Sequence, residues 1–321
     1  NLEIMEYIRS KGWLYISFRN PIHMIWIALR AKVIIDNGDG FFNIFNITNT
    51  SSVIKISCTH GSGPKATIIS YGQHSAVSQI LDMNKFNYVN FASKYAGDIM
   101  GKRTFFLPNK KIINFGYPRC DAFFDKATID MAYDNKTITR SLSSKFSKKN
   151  KIILYTPTWR PYKYNFPLSK LNNFSFSDFD RWLELNNLIF FYTFHSNLHP
   201  ENIPTNLDRV VFINENNNPL FDINSLMMEA DILLNDYSTT STDFSILNKP
   251  QVFYLPDYEL YTSIKGFLED YRKILPGQEV QTYEELKSSL LRASLEPKSF
   301  VKDYLKESAE LQHKYYDVKL T

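Results

Sequence analysis

The sequence is poor in cysteine, with only Cys58 and Cys120 among 321 residues. Two cysteines cannot build the disulfide framework of a small secreted protein, and no Cys/His spacing matches a zinc site. Long apolar runs are also missing, because the longest one, residues 24–35, is interrupted by Arg30 and Lys32 and is too short to span a bilayer. The low cysteine content fits a reducing compartment such as the cytoplasm.

Two glycine-rich phosphate motifs are missing as well. The chain contains neither G-x-G-x-x-G nor a Walker loop, which argues against a hydride-transferring enzyme and against a P-loop kinase. A large excess of one charge is also absent, since the net charge is +4. This charge is too small to indicate nucleic-acid binding, but it is compatible with a polyanionic substrate or an anionic lipid surface.

The sequence does contain a repeated alternation of strand and helix patterns. With 44% hydrophobic residues the chain can bury large cores, and its length allows two domains. Short apolar runs typical of buried parallel strands alternate with amphipathic helical stretches. The predicted strands are 33–35, 55–58, 88–91, 112–115, 152–155, 188–194, 210–213, 232–234 and 251–255. We therefore predict an α/β fold with two doubly wound parallel sheets that face a cleft.

A polar stretch with a run of lysines, residues 125–150, separates the two halves of this alternation. It predicts a linker and a division into domains 1–148 and 149–321. In the second half we predict helices over 176–185, over 283–291 with a capping box at Thr282, and over 301–316. The last of these helices is expected to pack back across the first domain. The chain begins at Asn1 within an amphipathic pattern rather than a signal peptide, as in a piece of a longer protein.

One hydroxyl-rich loop, Asn235–Thr242, follows a predicted strand and enters a helical run. Free backbone N–H groups, the positive end of a helix, and the hydroxyls of Ser238, Thr239 and Thr240 would together suit a phosphate. The alternative is that Asp236, Ser238 and Thr239 serve only as helix caps.

Three further strand ends carry candidate polar groups. His60 opens the glycine-containing segment 60–65 and is placed to act as a general base, although the local pattern by itself favours a structural histidine of a turn. Arg160 could clamp phosphate oxygens with its planar guanidinium, or form an ordinary surface ion pair. His195 directly follows another strand, and His199 follows shortly after it.

Six motifs in fixed order resemble the CDP-glycerol glycerophosphotransferases that polymerise teichoic acids and related capsule chains. They are HGSGPK (60–65), GYPRCDAFF (116–124), YTPTWR (155–160), FHSN (194–197), NDYSTTSTDF (235–244) and KGFLEDYRKILPG (265–277). Members of that family usually have HGTPLK, G-x-PRND, YAPTFR, an HPN after a strand, and TDYSS followed by FD. The resemblance spans nearly the whole chain. It implies the GT-B fold of two Rossmann-like domains, with the acceptor handled mainly by the first and the nucleotide donor by the second.

The resemblance also implies roles for single residues. His60 matches the histidine that takes the proton from the acceptor hydroxyl, and His195 best matches the histidine that contacts the donor pyrophosphate. The residues implied on the donor and phosphate side are Arg160, Ser238, Thr239, Thr240, Asp243 and, as the alternative to His195, His199. The residues implied on the acceptor side are Gly61, Lys65 and Arg119.

The sequence departs from the family pattern at three positions. Ser196 replaces the proline of HPN, while an intact His-Pro pair stands at His199 and Pro200. Gly63 stands where the family turn has proline, which predicts a looser loop and a different acceptor. Asn235 replaces the usual threonine, a small change expected to tune the fit of the donor.

The expected activity is the transfer of glycerol phosphate, or a related polyol phosphate, from CDP-glycerol to a hydroxyl of a lipid-linked or polymeric acceptor, with release of CMP. The motifs place no carboxylate pair to hold Mg²⁺, so we expect no strictly required cofactor, with a cation as an optional aid. The alternatives are a GT-B glycosyltransferase or epimerase that uses another sugar nucleotide, and a non-catalytic polymer-binding domain. A lipid-linked acceptor and the basic charge favour peripheral association with the inner face of the cell membrane, without nucleic acid as a partner.

Overall fold

The computed structural model of the chain describes residues 6, 9–13, 20–36, 53–59, 61, 63–66, 73–124, 149–160, 162, 166–194, 203–213 and 222–317. The chain divides into two compact units. The first comprises Asn1–Pro118 with His313–Lys319, and the second comprises Arg119–Gln312 with Leu320–Thr321. The boundary predicted at residue 148 falls in 125–148, outside the described residues, and it stays a prediction.

The first unit contains a parallel sheet of four strands in the order β1-β2-β3-β4. Its strands are β1 (Val33–Asp36), β2 (Ile54–Ser57), β3 (Tyr88–Asn90) and β4 (Ile112–Ile113). Its helices are α1 (Pro21–Arg30), α2 (Gln73–Asn84) and the short α3 (Lys94–Ala96), which continues as a π-helical segment, Gly97–Thr104. A 3-10 turn, Asn109–Lys111, leads into β4.

Residues 313–317 complete the first unit although they lie far along the chain. The Ser93 hydroxyl donates to the carbonyl of Lys314 over 2.5 Å, and the Lys94 amide donates to the Asp317 carboxylate over 3.0 Å. Tyr95 meets Tyr315 edge-to-face at 5.7 Å between ring centroids. The first unit is therefore built from two separate stretches of sequence.

The second unit contains a parallel sheet of six strands in the order β10-β9-β8-β5-β6-β7. Its strands are β5 (Lys151–Thr156), β6 (Leu188–Thr193), β7 (Val210–Ile213), β8 (Ile232–Asn235), β9 (Gln251–Tyr254) and β10 (Gln278–Val280). Its helices are α4 (Phe176–Leu185), α5 (Ile223–Glu229), α6 (Thr240–Ser245), α7 (Tyr258–Lys265), α8 (Tyr283–Leu295) and α9 (Pro297–Asp303). Helix α10 (Leu305–Tyr316) starts here, and its last residues, from His313, belong to the first unit. Short 3-10 turns cover Pro118–Phe123, Pro167–Lys170 and Tyr271–Ile274.

The central strands of the second sheet are apolar on both faces because helices cover both. Every residue of β6, β8 and β9 is buried. On one face, Phe179 and Leu183 of α4 and Leu286 of α8 pack in one core with β5 and β6. On the other face, Leu226 and Met227 of α5 pack against alternate residues of the same strands. The predicted α/β class with two parallel sheets is confirmed.

The predicted helix 176–185 and strand 210–213 have the predicted bounds. The capping box at Thr282 is also confirmed, since its hydroxyl accepts from the Glu285 amide at 3.2 Å while the Glu285 carboxylate accepts from the Thr282 amide. The prediction of one helix over 301–316 is wrong. Two helices meet at Tyr304, whose backbone leaves the helical region at φ −119° and ψ 20°. Among the described residues, no helix has both the length and the apolar character needed to cross a membrane.

Candidate functional site

The ends of β5 and β8 lie side by side, because the two strands are parallel and pair Thr156 with Asn235. The Thr156 hydroxyl donates to Asn235 Oδ1 over 3.0 Å, and Asn235 Nδ2 donates to the carbonyl of Ser238 over 2.9 Å. Asn235 is completely buried. Its side-chain amide thus connects β5 to the loop that follows β8, because Oδ1 accepts from one and Nδ2 donates to the other. A threonine at this position has a single hydroxyl in place of these two groups.

Asp236 is the first loop residue after β8, and its side chain points into the protein. Its carboxylate accepts from the Thr158 amide at 2.9 Å, the Thr158 hydroxyl at 2.7 Å and the Tyr237 amide at 2.5 Å. Arg160 donates to the same carboxylate from Nη1 over 2.8 Å. Asp236 therefore fixes the shape of the loop after β8 from inside the protein.

The guanidinium of Arg160 is held between two carboxylates. Besides Asp236, it pairs with Asp257 through Nε at 2.6 Å and Nη2 at 2.9 Å, and Nη1 also donates to the carbonyl of Thr158. Arg160 is 4% exposed, so its ion pairs are buried and the expectation of a surface ion pair is wrong. Burial disfavours the charged form, but Asp236 and Asp257 outweigh burial and raise the pKa of Arg160 above its ordinary value.

Asp257 follows β9, the strand next to β8, and two tyrosines complete its hydrogen bonds. Tyr162 OH donates to Oδ2 over 2.5 Å, and Tyr237 OH donates to Oδ1 over 3.0 Å. Burial pushes the pKa of Asp257 upward, but the hydrogen bonds from Arg160 and Tyr162 dominate and hold it below its ordinary value. We name Arg160, Asp236, Asp257, Tyr162 and Tyr237 the arginine cluster.

The hydroxyl residues of the loop are less buried than its acidic residue. Ser238, Thr239 and Thr240 are half-buried, and Ser238 Oγ lies 2.9 Å from Thr240 Oγ1 and accepts from the Thr240 amide at 3.3 Å. Thr239 precedes α6 with a helical backbone and makes no side-chain cap, and the carboxylate of Asp236 is used elsewhere. Of the three predicted caps, only Ser238 receives an N–H of the helix.

Two residues that were predicted on opposite sides of the reaction lie together. Arg119 pairs with Asp243 of α6 through Nε to Oδ2 at 3.0 Å and Nη2 to Oδ1 at 3.3 Å. Both belong to the second unit, and the Asp243 side chain is 10% exposed. This bidentate pair anchors the short helix that follows the loop.

In the first unit, uncharged groups form the hydrogen bonds that hold the turn after β2 at Thr59. Thr59 is buried and has φ 53°, a left-handed conformation that costs a β-branched residue energy. Its amide donates to Ser57 Oγ at 3.2 Å, its hydroxyl donates to the carbonyl of Asn90 at 3.0 Å, and Tyr117 OH lies 3.2 Å from that hydroxyl. Asn90 in turn donates from Nδ2 to the carbonyl of Gly116 over 2.6 Å.

Of the predicted acceptor-side residues beyond this turn, Gly61 and Lys65 are half-buried in the first unit. His60, His195 and His199 lie outside the described residues, and their roles stay predictions.

Within the described part of the chain, no group of three or more His, Cys, Asp or Glu side chains could hold a metal ion. Asp257 and Thr59 were not predicted as site residues, although Asp257 stands two residues after a predicted strand, where functional carboxylates are commonly found.

Comparison with known proteins gives a consistent result. A family model described as CDP-glycerol:poly(glycerophosphate) glycerophosphotransferase matches residues 10–319. The chain is 28% identical over 285 residues to a teichoic acid glycerol-phosphate primase of Bacillus subtilis (strain 168), covering 84% of this chain and 68% of that protein. It is 30% identical over 217 residues to a teichoic acid poly(glycerol phosphate) polymerase of Bacillus spizizenii (strain ATCC 23059 / NRRL B-14472 / W23), covering 64% of this chain and 50% of that one.

Among solved structures, the wall teichoic acid polymerase TagF superposes with a TM-score of 0.68 at 19% identity. The superposition covers 90% of this chain and 69% of that chain, and it establishes a shared fold. The chain therefore spans between half and somewhat more than two-thirds of the length of these relatives.

Proposed function

Because the chain belongs to the CDP-glycerol:poly(glycerophosphate) glycerophosphotransferase family, we propose that it is a glycerophosphotransferase of teichoic acid synthesis. In this proposal it moves glycerol phosphate, or a related polyol phosphate, from CDP-glycerol to a hydroxyl of a lipid-linked or polymeric acceptor and releases CMP. The family match over residues 10–319 is the observation that carries the proposal.

The loop after β8 supports a role in binding the donor. Its hydroxyl residues, Ser238, Thr239 and Thr240, are half-buried, whereas the carboxylate of Asp236 is turned inward and paired with Arg160. A phosphate at this loop would meet hydroxyl donors without facing an unpaired carboxylate from Asp236, which is the arrangement that an anionic group requires. The geometry thus favours a pyrophosphate-carrying donor in the second unit.

The proposed reaction has one proton transfer and one displacement at phosphorus. His60 takes the proton of the acceptor hydroxyl, the acceptor oxygen bonds to the distal phosphorus of the donor, and the bond from that phosphorus to CMP breaks. His195, or His199 in its place, contacts the pyrophosphate, and the loop hydroxyls stabilise the charge that develops on the departing CMP.

Four other predicted residues have less direct parts in this proposal. Arg160 and Asp243 support the donor loop through their ion pairs, and Arg119 does so as the partner of Asp243. Lys65, four residues after Gly61, offers a positive charge to an acceptor that carries phosphates. The reaction as proposed uses no obligatory metal ion, and titration of activity with Mg²⁺ and with a chelator tests that part.

The direct test is to incubate the protein with CDP-glycerol and a phosphate-polyol acceptor while CMP release is followed. Wild type should release CMP only when the acceptor is present. His60→Ala should lower the rate by about two orders of magnitude or more, the usual scale of lost acid–base catalysis. His313→Ala is the matched control, because His313 is an exposed residue of α10 and should leave the rate unchanged. An unchanged rate in His60→Ala would overturn the assignment of the base.

Nucleotide binding separates this proposal from its alternatives. Calorimetry should show that CDP binds well and UDP poorly. Tight UDP binding would instead indicate a glycosyltransferase or epimerase that uses another sugar nucleotide. Binding of polymer without any nucleotide would indicate a non-catalytic polymer-binding domain.

The proposed acceptor also suggests where the protein works. A lipid-linked primer lies at the membrane surface, and the net charge of +4 is favourable near anionic lipids. We propose peripheral association with the inner face of the cell membrane. Sedimentation with anionic and with neutral vesicles, at low and high salt, tests this placement.

A further inference from the structure

Asp257 is a buried carboxylate that accepts four hydrogen bonds. Its side chain is 7% exposed, and it accepts two bonds from Arg160, one from Tyr162 and one from Tyr237. A buried carboxylate needs such partners, since desolvation of an unpaired charge is costly. An apolar pair of similar size would nevertheless often be as stable, so burial alone does not explain why this group is ionic.

The partners of Asp257 lead directly to the loop after β8. Tyr237 belongs to that loop and immediately precedes Ser238. Its ring stacks on Tyr261 of α7 with 4.0 Å between centroids, while its hydroxyl is fixed by Asp257. Arg160 provides a second connection, because the same guanidinium that pairs with Asp257 also pairs with Asp236. The backbone between Asp236 and Ser238 is therefore held from both sides.

A third contact closes this arrangement. Tyr271 is buried and donates from its hydroxyl to the backbone carbonyl of Asp236 over 2.6 Å. Tyr237, Tyr271 and Phe267 form a packed aromatic group, with the rings of Phe267 and Tyr271 stacked at 4.5 Å. Rigid supports of this kind hold binding groups within the small positional tolerance that binding and catalysis require.

The charges of the arginine cluster also limit its direct use. Two carboxylates and one guanidinium leave this cluster with a net negative charge, which would repel a phosphate placed against it. The donor atoms Nε, Nη1 and Nη2 of Arg160 all point to Asp257, Asp236 or the carbonyl of Thr158. The cluster is thus suited to shape the loop, while the half-buried hydroxyl residues of the loop are the proposed ligand contacts.

We propose that Asp257 is a positioning residue for donor binding, which acts through Tyr237 and Arg160 on the loop that carries Ser238, Thr239 and Thr240. This inference rests on the proposed function, in which that loop binds the phosphates of a CDP-linked donor. Asp257 itself does not touch the donor. Its removal should weaken donor binding and leave the affinity for the acceptor unchanged.

The test compares three variants with wild type. Asp257→Asn removes the charge and keeps the size. Tyr237→Phe removes only the hydroxyl that bonds to Asp257 and keeps the stacked ring, so it tests the same connection with a smaller disturbance of folding. Asp303→Asn is the matched control, because Asp303 pairs with Arg292 on the C-terminal helices and its side chain is 49% exposed.

Four quantities should be measured for each variant: KM for CDP-glycerol, KM for the acceptor, kcat, and the calorimetric Kd for CDP. For Asp257→Asn, we expect both donor constants to rise by between about tenfold and about a hundredfold, as for a binding group misplaced by ~1 Å. For Tyr237→Phe, the rise should be roughly two- to tenfold, the scale of one hydrogen bond. The acceptor KM should stay within about twofold of wild type, and Asp303→Asn should match wild type throughout.

The outcomes separate this inference from the proposed function. A wild-type protein that neither binds CDP nor releases CMP would overturn the proposed function and, with it, this inference. The positioning role alone would be overturned if wild type binds CDP and releases CMP while Asp257→Asn and Tyr237→Phe bind CDP as well as wild type does. If Asp257→Asn fails to fold, Tyr237→Phe decides. A fall in kcat and thermal stability with unchanged donor constants would show a structural role only, and would also overturn the inference.

Discussion

The loop after β8 in the second unit is fixed by buried ion pairs, whereas the turn after β2 in the first unit is fixed by neutral hydrogen bonds around a strained threonine. In the loop after β8, Asp236 and Asp257 meet one guanidinium, that of Arg160. In the turn after β2, the hydroxyl of Thr59 and the amide of Asn90 bond to backbone carbonyls and φ is positive. Each segment directly follows the carboxyl end of a strand.

The difference follows from what each segment has to hold. A loop proposed to meet phosphates benefits from fixed charges that orient it and that cancel its own carboxylate. A turn that leads directly to a proposed general base needs a defined backbone direction, and a nearby ion pair would shift the pKa of such a base. A neutral anchor holds the backbone at Thr59 without that electrostatic effect. Charge thus fixes the loop for which we propose an ionic ligand, and a neutral, strained residue fixes the turn that leads to the proposed base.

The largest effect should come from removing the shared cation. Arg160→Met leaves Asp236 and Asp257 buried without a positive partner, and we expect it to cost about 3–5 kcal/mol of folding free energy. Urea unfolding followed by circular dichroism measures this loss. Arg292→Met is the control at an exposed pair, and its midpoint should stay close to that of wild type. Equal midpoints for the two variants would remove the energetic basis of the comparison.

A smaller effect is expected at the neutral anchor, where two variants of Thr59 separate the hydroxyl from the strain. Thr59→Val keeps the β-branch and removes the buried hydroxyl that donates to the carbonyl of Asn90, so it should cost about 1–3 kcal/mol. Thr59→Ser keeps the hydroxyl and removes the β-branch, and it should be neutral or slightly stabilising because φ is positive. Urea unfolding of both proteins provides the measurement. A Thr59→Ser protein as unstable as Thr59→Val would contradict the assignment of strain.

A still smaller effect is expected from Asn235→Thr, which installs the residue usual in the family. The variant loses the bond from Nδ2 to the carbonyl of Ser238, and we expect a cost of about 1 kcal/mol, the usual net contribution of one hydrogen bond. The KM for CDP-glycerol should change because the bond shapes the loop. Expressed as a free energy, the change in KM should exceed the change in the free energy of unfolding. A change in stability without any change in KM would argue that Asn235 serves the sheet and not the loop.

The smallest effect concerns the pH dependence of stability, and we expect it only at acidic pH. The folded pKa of Asp257 lies below its ordinary value of 3.8, so its contribution to stability is complete above that value and is lost as pH falls through the lower, folded pKa. Asp257→Asn should therefore lose less stability than wild type between neutral pH and pH values below 3.8. Unfolding curves at several pH values test this expectation. Equal losses in both proteins would show that Asp257 is not responsible.

Elements with a regular apolar pattern could be predicted from sequence. The helix Phe176–Leu185 and the strand Val210–Ile213 have strong local patterns, and the structure reproduces their bounds. The single helix predicted over 301–316 failed because its apolar period continues across Tyr304, where the backbone turns out of the helical region. The apolar period indicates which face of a helix is buried, but it does not reveal a single residue whose backbone is not helical.

The partners within the site could not be predicted in the same way. Arg160 and Asp257 are 97 positions apart, and the order of strands in the sheet brings them together, because β5 and β9 both flank β8. Arg119 and Asp243 are 124 positions apart, so their pairing depends on tertiary structure that a local pattern does not encode. The sequence indicated that Arg160 stands at a strand end, but not which charges surround it. The positive φ of Thr59 could not be predicted from the sequence either, since threonine rarely has a positive φ.

The return of residues 313–317 to the first unit has a consequence for synthesis in the cell. Lys314, whose carbonyl receives the Ser93 hydroxyl, is made 221 positions after Ser93. At ordinary translation rates that delay is ~10–45 s. The first unit therefore stays incomplete while the ribosome adds Arg119–Gln312 of the second unit. During this interval Ser93 and Lys94 have not yet met Lys314 and Asp317, and partly folded states of this kind are prone to aggregation.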